Sequence, residues 1–130
     1  PELNWLLITS AVLLLFGVGL RFLSLFTLGK YFASNVALRV NHRLIKNGVY
    51  NKIRHPIYLA MLIELTGMIG FSKTPSLFIP WLVMLLVLIR QSQNEDKILL
   101  EEFGKVAEDY QKNVPAFIPR IADSERLERD

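Results

Sequence analysis

Two stretches of this chain hold the residue types that chemistry needs. The first, residues 42–58, reads HRLIKNGVYNKIRHPIY; it contains both histidines (His42 and His55), two of the four tyrosines (Tyr50 and Tyr58) and no acid. Pro56 suits the first turn of a helix, where its fixed φ is correct and its missing N–H would have no partner. The residue before a proline is pushed towards extended backbone, so the loop should end sharply at His55. The imidazole then stands at the N-terminal end of the next helix. That end carries partial positive charge and free N–H groups, which favour anionic or electron-rich ligands. The second stretch, residues 90–110, supplies Arg90, Glu95, Glu102 and Tyr110. Together these groups suit a zwitterionic ligand: arginine for a carboxylate, acids for an ammonium or ribose hydroxyls, aromatic rings for an adenine or a sulfonium. The plainer reading of the first stretch is a basic loop on the positive side of a membrane.

Other chemistries are set aside by what the chain lacks. It has no cysteine, which removes disulfides, thiolate metal sites and a cysteine nucleophile. With two histidines, a dedicated zinc site has too few ligands, so no metal is expected. There is no glycine-rich dinucleotide fingerprint, phosphate loop, metalloprotease motif or Gly-x-Ser-x-Gly elbow. Nucleic acid is not an expected partner, because flanking membrane spans account for the basic segment more simply.

The elements that must position these groups are apolar runs. The chain is 130 residues long and 52% hydrophobic, with a mean hydropathy of +0.31, and its apolar residues are bunched rather than spread at amphipathic spacing. Residues 3–28 read as a transmembrane helix, with Trp5 at the interface and Arg21 snorkelling towards the basic side. Gly17, Gly19 and Ser24 offer close approach to a neighbouring helix. Residues 29–56 form a basic loop, with Lys30, Arg39, Arg43, Lys46, Lys52 and Arg54 and no acid. Residues 30–43 read as a short interfacial helix, and Asn47-Gly48 marks a turn.

Residues 57–71 and 76–91 are two short spans joined by a polar turn, a helical hairpin. Glu64 shares a stripe with Ala60 and Gly67 and should meet protein, not lipid. A functional acid and a hydrogen-bonding strut both remain open for it. The charge asymmetry puts the 29–56 loop and the 92–130 tail on the cytoplasmic side, with the N-terminus opposite. The chain does not begin with Met, which points to trimming and leaves room for upstream spans. From Arg90 the helix should run on into water, with Glu95, Leu99, Glu102, Val106 and Tyr110 on one stripe. Residues 114–120 are proline-stiffened and extended, expected to fold back near the basic loop, and the last ten residues should fray. The fold expected is an all-α integral membrane bundle of one domain. Its short hairpin, basic loop and cytoplasmic C-terminal helix and tail together complete a pocket.

The order of the residues adds a resemblance. The first block, H-x-L-I-x-x-G-V-Y-x-x-x-R-H-P-x-Y, and the second, R-x-x-x-x-E-D-x-x-L-x-x-E-F-G followed by Tyr110 and Val114-Pro115, are similar to those of the isoprenylcysteine carboxyl methyltransferase family and its phospholipid N-methyltransferase relatives. The hairpin between them has matching length, and Leu20-Arg21 with Leu28-Gly29 looks like the family's preceding helix end. The resemblance implies S-adenosylmethionine-dependent methyl transfer at the cytoplasmic membrane face. His42, Leu44, Tyr50, His55, Pro56, Tyr58, Glu95 and Tyr110 would line the cofactor pocket, and Arg90 with Glu95 would orient the methyl acceptor. Two positions depart from the family: Ala60 stands at a usual glycine and Ala107 at a frequent tyrosine.

A carboxylate needs no base to take a methyl group from a sulfonium, whereas an amine needs a proton acceptor such as Glu95. The residues do not decide between the two; the resemblance makes O-methylation of an isoprenylcysteine-like, lipophilic or prenylated carboxylate the first choice. Head-group N-methylation of a phospholipid is the alternative. A noncatalytic membrane scaffold or truncated fragment is the reading from another class. The family's reach into sterol-reducing enzymes adds a reductase, for which no nicotinamide-specific feature is present. The oligomeric state is not legible. Arg90 and Glu95 also lie about 140° apart on an ideal helix, so they share a ligand only if the helix bends or the ligand lies between them.

Overall fold

Uninterrupted apolar sequence propagates as helix until a residue with special backbone demands stops it, and this chain is divided by such residues. The computed structural model describes residues 4–28, 39–40, 43–44, 46 and 48–119. Helix α1 spans Trp5–Leu28; the side chain of Asn4 caps it, accepting from the N–H groups of Leu6 (3.1 Å) and Leu7 (3.3 Å). Helix α2 spans Pro56–Ser72 with proline in its first turn, and ends at Lys73 in the left-handed region (φ 55°). A short 3-10 turn, Pro75–Leu77, leads into α3, Phe78–Phe103. Helix α4, Lys105–Asn113, follows. At 24 and 26 residues, α1 and α3 reach about 36 and 39 Å, enough to cross a bilayer; α2, at 17 residues, is shorter. Large apolar side chains such as Leu15, Phe22, Phe26 and Ile79 are exposed on α1 and α3, as expected of surfaces that meet lipid or further helices. The molecule is a helical membrane bundle.

The main packing is antiparallel, α1 on α2. Ser10, Gly17 and Ser24, seven residues apart, are buried on α1, and Ala60 and Gly67, again seven apart, on α2. The fit leaves no room for a side chain: a Cβ on Gly17 would stand 2.6 Å from Glu64 Cγ, and one on Gly67 would stand 2.8 Å from Leu14 Cγ. Gly19, expected to help, faces open space and takes no part. Gly17 lies against Ala60 and Gly67 against Ser10. A slip of one heptad, about 10 Å, would still pair small residues, Gly17 with Gly67 and Ser24 with Ala60. The charges break this degeneracy. Arg21 Nη2 donates to Glu64 Oε2 at 2.5 Å, and no slipped register preserves that bond. Arg21 therefore does not snorkel, as the sequence suggested. It turns to Glu64, because a carboxylate within reach is worth more to a guanidinium in an apolar layer than a longer climb to water. Glu64 does meet protein.

Two further expectations change. Arg39–Val40 and Arg43–Leu44 pair as short antiparallel strands, Arg39 opposite Leu44 and Val40 opposite Arg43. The helix read over 30–43 does not extend through them; β-branched Val40 favours extended backbone. The rest of that segment, with His42, lies outside the described residues, as do residues 120–130. Nor does one helix run from Arg90 through Tyr110. Gly104, at φ 58° and ψ −121°, breaks it. With α4 redirected, Ala107 and Tyr110 are buried while Val106 and Glu102 are exposed, so the stripe read through the glycine does not exist. The hairpin is present but loosely packed. A cavity of about 330 Å³, lined by Leu65, Met68, Trp81 and Met84 among others, separates α2 from α3 near the connecting turn.

If the charge pair sets the register, Glu64→Arg alone lowers the thermal stability of the detergent-solubilised protein, by about 1 kcal/mol or more. Combining it with Arg21→Glu recovers most of the loss.

Candidate active site

The site forms where the end of the basic loop meets the extension of α3. Gly48 (φ 62°) opens a 3-10 turn, Gly48–Asn51, and packs on α1, where a Cβ would come within 3.0 Å of Thr27 Oγ1. The turn delivers Tyr50 into a core with Leu28, Leu99 and Ala107, against which Leu44, Val49, Ile57 and Phe103 pack. His55 is the N-cap residue of α2, at φ −126° and ψ 60°, and Pro56 is buried beside it. The sharp stop read from the Arg-His-Pro step is what the backbone adopts. The 114–119 segment folds back here, also as read: the N–H groups of Arg54 and His55 donate to the carbonyls of Pro115 (2.9 Å) and Ala116 (3.0 Å).

The His55 ring is 4% exposed. It stacks on Tyr58 at 5.7 Å between centroids and 8° between planes, and meets Phe117 at 5.9 Å and 39°. Its edges face two carboxylates from α3. Nε2 donates to Asp96 Oδ1 at 2.9 Å, and Nδ1 lies 3.6 Å from Glu95 Oε2. Asp96 Oδ2 accepts from Arg54 Nη1 at 2.5 Å, and Glu95 accepts from the Tyr58 hydroxyl. The positive end of α2, expected to wait for an anionic ligand, is thus flanked by the protein's own acids. Tyr110 donates its hydroxyl to the Tyr50 carbonyl at 2.7 Å. Two buried polar atoms in this cluster have no partner among the described residues: Tyr50 Oη and Arg54 Nε. Burial raises the phenols of Tyr50 and Tyr110 above the ordinary tyrosine range; Glu95 adds to the effect at Tyr50, and Arg54 opposes it at Tyr110.

Of the residues read from the sequence, His55, Tyr58 and Glu95 come into direct contact, with Pro56 at the same corner. Tyr50 and Tyr110 join through one backbone bond, and Leu44 packs on the core behind them. Arg90 is not brought to this cluster. It is exposed, with no hydrogen bond or ion pair to another described residue, and α3 is unbroken between it and Glu95. His42 lies outside the described residues. Asp96 went unassigned in the sequence. Its only signal was standing beside Glu95 in the second block, and adjacent residues on a helix point about 100° apart, so the block alone could not say which acid faces the histidine. The two positions that depart from the family, Ala60 and Ala107, are both fully buried, one against α1 and one in the core under Tyr50.

Comparison with known proteins bears on what this site does. The isoprenylcysteine carboxyl methyltransferase (ICMT) family profile matches residues 9–101. A protein-S-isoprenylcysteine O-methyltransferase of Homo sapiens is 28% identical over 123 residues, covering 92% of this chain and 43% of the relative. The protein of the same name from Schizosaccharomyces pombe is 33% identical over 119 residues, covering 87% of this chain and 50% of the relative. A cobalt-zinc-cadmium resistance protein, CzcN of Cupriavidus metallidurans, is 32% identical over 114 residues, covering 84% of this chain and 51% of the relative. The chain spans about half the length of these curated relatives.

Tyr110→Phe should destabilise the protein by about 1–3 kcal/mol, because it leaves the buried Tyr50 carbonyl unpaired. The raised phenols also fix a pH dependence. Below about pH 10 folded and unfolded chains both keep these groups neutral. Above it the unfolded chain releases protons that the folded chain retains, so stability falls as pH rises. The unfolding midpoint should drop between about pH 10 and pH 11.5, less steeply in Tyr110→Phe, with phenolate absorbance from Tyr50 and Tyr110 appearing only on unfolding.

Proposed function

This chain belongs to the isoprenylcysteine carboxyl methyltransferase family, and on that premise we propose that it methylates the carboxylate of a lipophilic, isoprenylcysteine-like acceptor at the cytoplasmic membrane face, using S-adenosylmethionine. One observation supports this above the others. Two sequence blocks far apart in the chain close into a single polar cluster, His55 with Asp96 and Tyr58 with Glu95, beside membrane helices. The cluster also keeps two buried polar atoms without a partner among the described residues, Tyr50 Oη and Arg54 Nε. Unsatisfied buried donors of this kind are costly unless a ligand meets them.

These groups fit the cofactor. Glu95, partly exposed, suits its ammonium or ribose hydroxyls, while Arg54 Nε and Tyr50 Oη are donors for its carboxylate. When bound, S-adenosylmethionine supplies an electrophilic methyl on a sulfonium. The protein's part is alignment of an in-line attack and exclusion of water. The Tyr58 and Phe117 rings and the 114–119 strap cover His55 from solvent, and the sheltered ring gives the pocket a fixed wall. Arg90 stands about 7 Å nearer the membrane than Glu95 along α3, on the side from which a lipophilic acceptor arrives, where its exposed guanidinium can hold the acceptor carboxylate.

Head-group N-methylation is less favoured by the same geometry. An amine acceptor must lose a proton, and in this reading Glu95 is taken up by the cofactor while Asp96 is held by Arg54 and His55.

Detergent-solubilised protein given S-adenosylmethionine with a labelled methyl should form a base-labile ester on an S-prenylcysteine. It should leave the corresponding amide and phosphatidylethanolamine vesicles unlabelled. Arg90→Ala should raise KM for the acceptor about tenfold with little change in S-adenosylhomocysteine affinity. Label transferred to phosphatidylethanolamine in place of the prenylcysteine would overturn the choice of acceptor.

A further inference from the structure

The two adjacent acids of α3 divide their work, and we infer that Asp96 is the positioning residue of the site: it sets the orientation and protonated edge of His55 and ties together the three segments that form the pocket, leaving Glu95 for the ligand. The inference rests on the reading above only in taking this cluster as the methyl-donor pocket.

Every oxygen of Asp96 is engaged by the protein itself. Oδ1 accepts from His55 Nε2 at 2.9 Å, Oδ2 accepts from Arg54 Nη1 at 2.5 Å, and its backbone carbonyl accepts from Gln111 Nε2 at 2.8 Å. Those partners belong to the end of the basic loop and to α4, so one residue of α3 joins both. Its side chain is 15% exposed against 22% for Glu95. Glu95 holds the Tyr58 hydroxyl and keeps a longer, 3.6 Å approach to His55 Nδ1, which leaves it room to exchange a partner.

A buried imidazole needs such a fixture. Rotated by half a turn, the ring occupies the same space with nitrogen and carbon exchanged. Stacking on Tyr58 and contact with Phe117 fix the plane of the ring but are nearly indifferent to that flip. An acceptor at one edge is not: Asp96 requires N–H at Nε2, and so decides what the opposite edge presents to Glu95 and the pocket. Arg54 supplies the countercharge that lets the carboxylate serve in a buried place. The same bond holds Arg54 in the cluster, with its Nε unpartnered among the described residues.

The test separates holding the ring from touching the ligand. The chain has two histidines, so in protein labelled with nitrogen-15 at histidine the His55 signals are assigned by their loss in His55→Gln. Ligand-free wild type should show a slowly exchanging, hydrogen-bonded Nε2–H. Asp96→Asn keeps the shape but cannot accept from both partners; it should shift or abolish that signal and weaken S-adenosylhomocysteine binding about tenfold. Glu95→Gln should weaken binding as much while leaving the Nε2–H signal in place. Should Asp96→Asn fail to fold, Asp96→Glu serves the same comparison, with the longer arm displacing the signal. Unchanged His55 signals in the Asp96 variants, or changed signals with undiminished affinity, would overturn the inference. Absence of S-adenosylhomocysteine binding by wild type would instead remove the methyl-donor reading, with the His55 spectrum still deciding whether Asp96 sets the ring.

Discussion

The structure depends on where α3 can place its acids. Carboxylates taken out of water must be paired or they destabilise the fold by several kcal/mol, and among the described residues the side chains of Glu95 and Asp96 find their partners at the mouth of α2, in Arg54, His55 and Tyr58. That requirement fixes the height of α3 against α2. Because α2 begins at Pro56 and α3 runs to Phe103, the residues beyond Asp96 project past the end of α2. There they complete the buried core of Leu28, Tyr50, Leu99 and Ala107. The turn at Gly104 brings α4 back over this core, and the proline-stiffened strap closes on the backbone of Arg54 and His55. The polar cluster is therefore not attached to a finished bundle; it is the joint around which the end of the bundle is assembled.

A second charge pair does a different job within the apolar layer. Small residues let α1 and α2 touch closely, but their seven-residue repeat leaves neighbouring registers nearly equivalent. Arg21 and Glu64 distinguish them. The register matters at the site, since it seats Gly48 against Thr27 and so determines where the 3-10 turn delivers Tyr50. Close packing sets the distance between these helices, and a single polar contact sets their alignment.

What could be read from the sequence follows from how local the governing physics is. The stop at His55, the proline opening α2 and the fold-back of 114–119 rest on proline stereochemistry and could be read from neighbouring residues. The apolar runs likewise marked α1, α2 and α3. The partners of Arg21 and Asp96 could not be read this way, because each lies more than forty residues away and several residues compete for the same role. The break at Gly104 was missed because helical periodicity continues through a glycine on paper while the backbone there takes a positive φ. Tyr110 shows the opposite case: the motif singled it out, but its hydroxyl is committed to the Tyr50 backbone.

The account stands on the claim that this joint is a methyl-donor pocket, and calorimetry tests that claim most directly. Purified protein in detergent is titrated with S-adenosylhomocysteine, wild type beside His55→Ala. Micromolar binding by wild type that is lost in a folded His55→Ala variant is the predicted result. A folded wild type that binds nothing would contradict the claim and leave the cluster as a purely structural joint in a membrane scaffold.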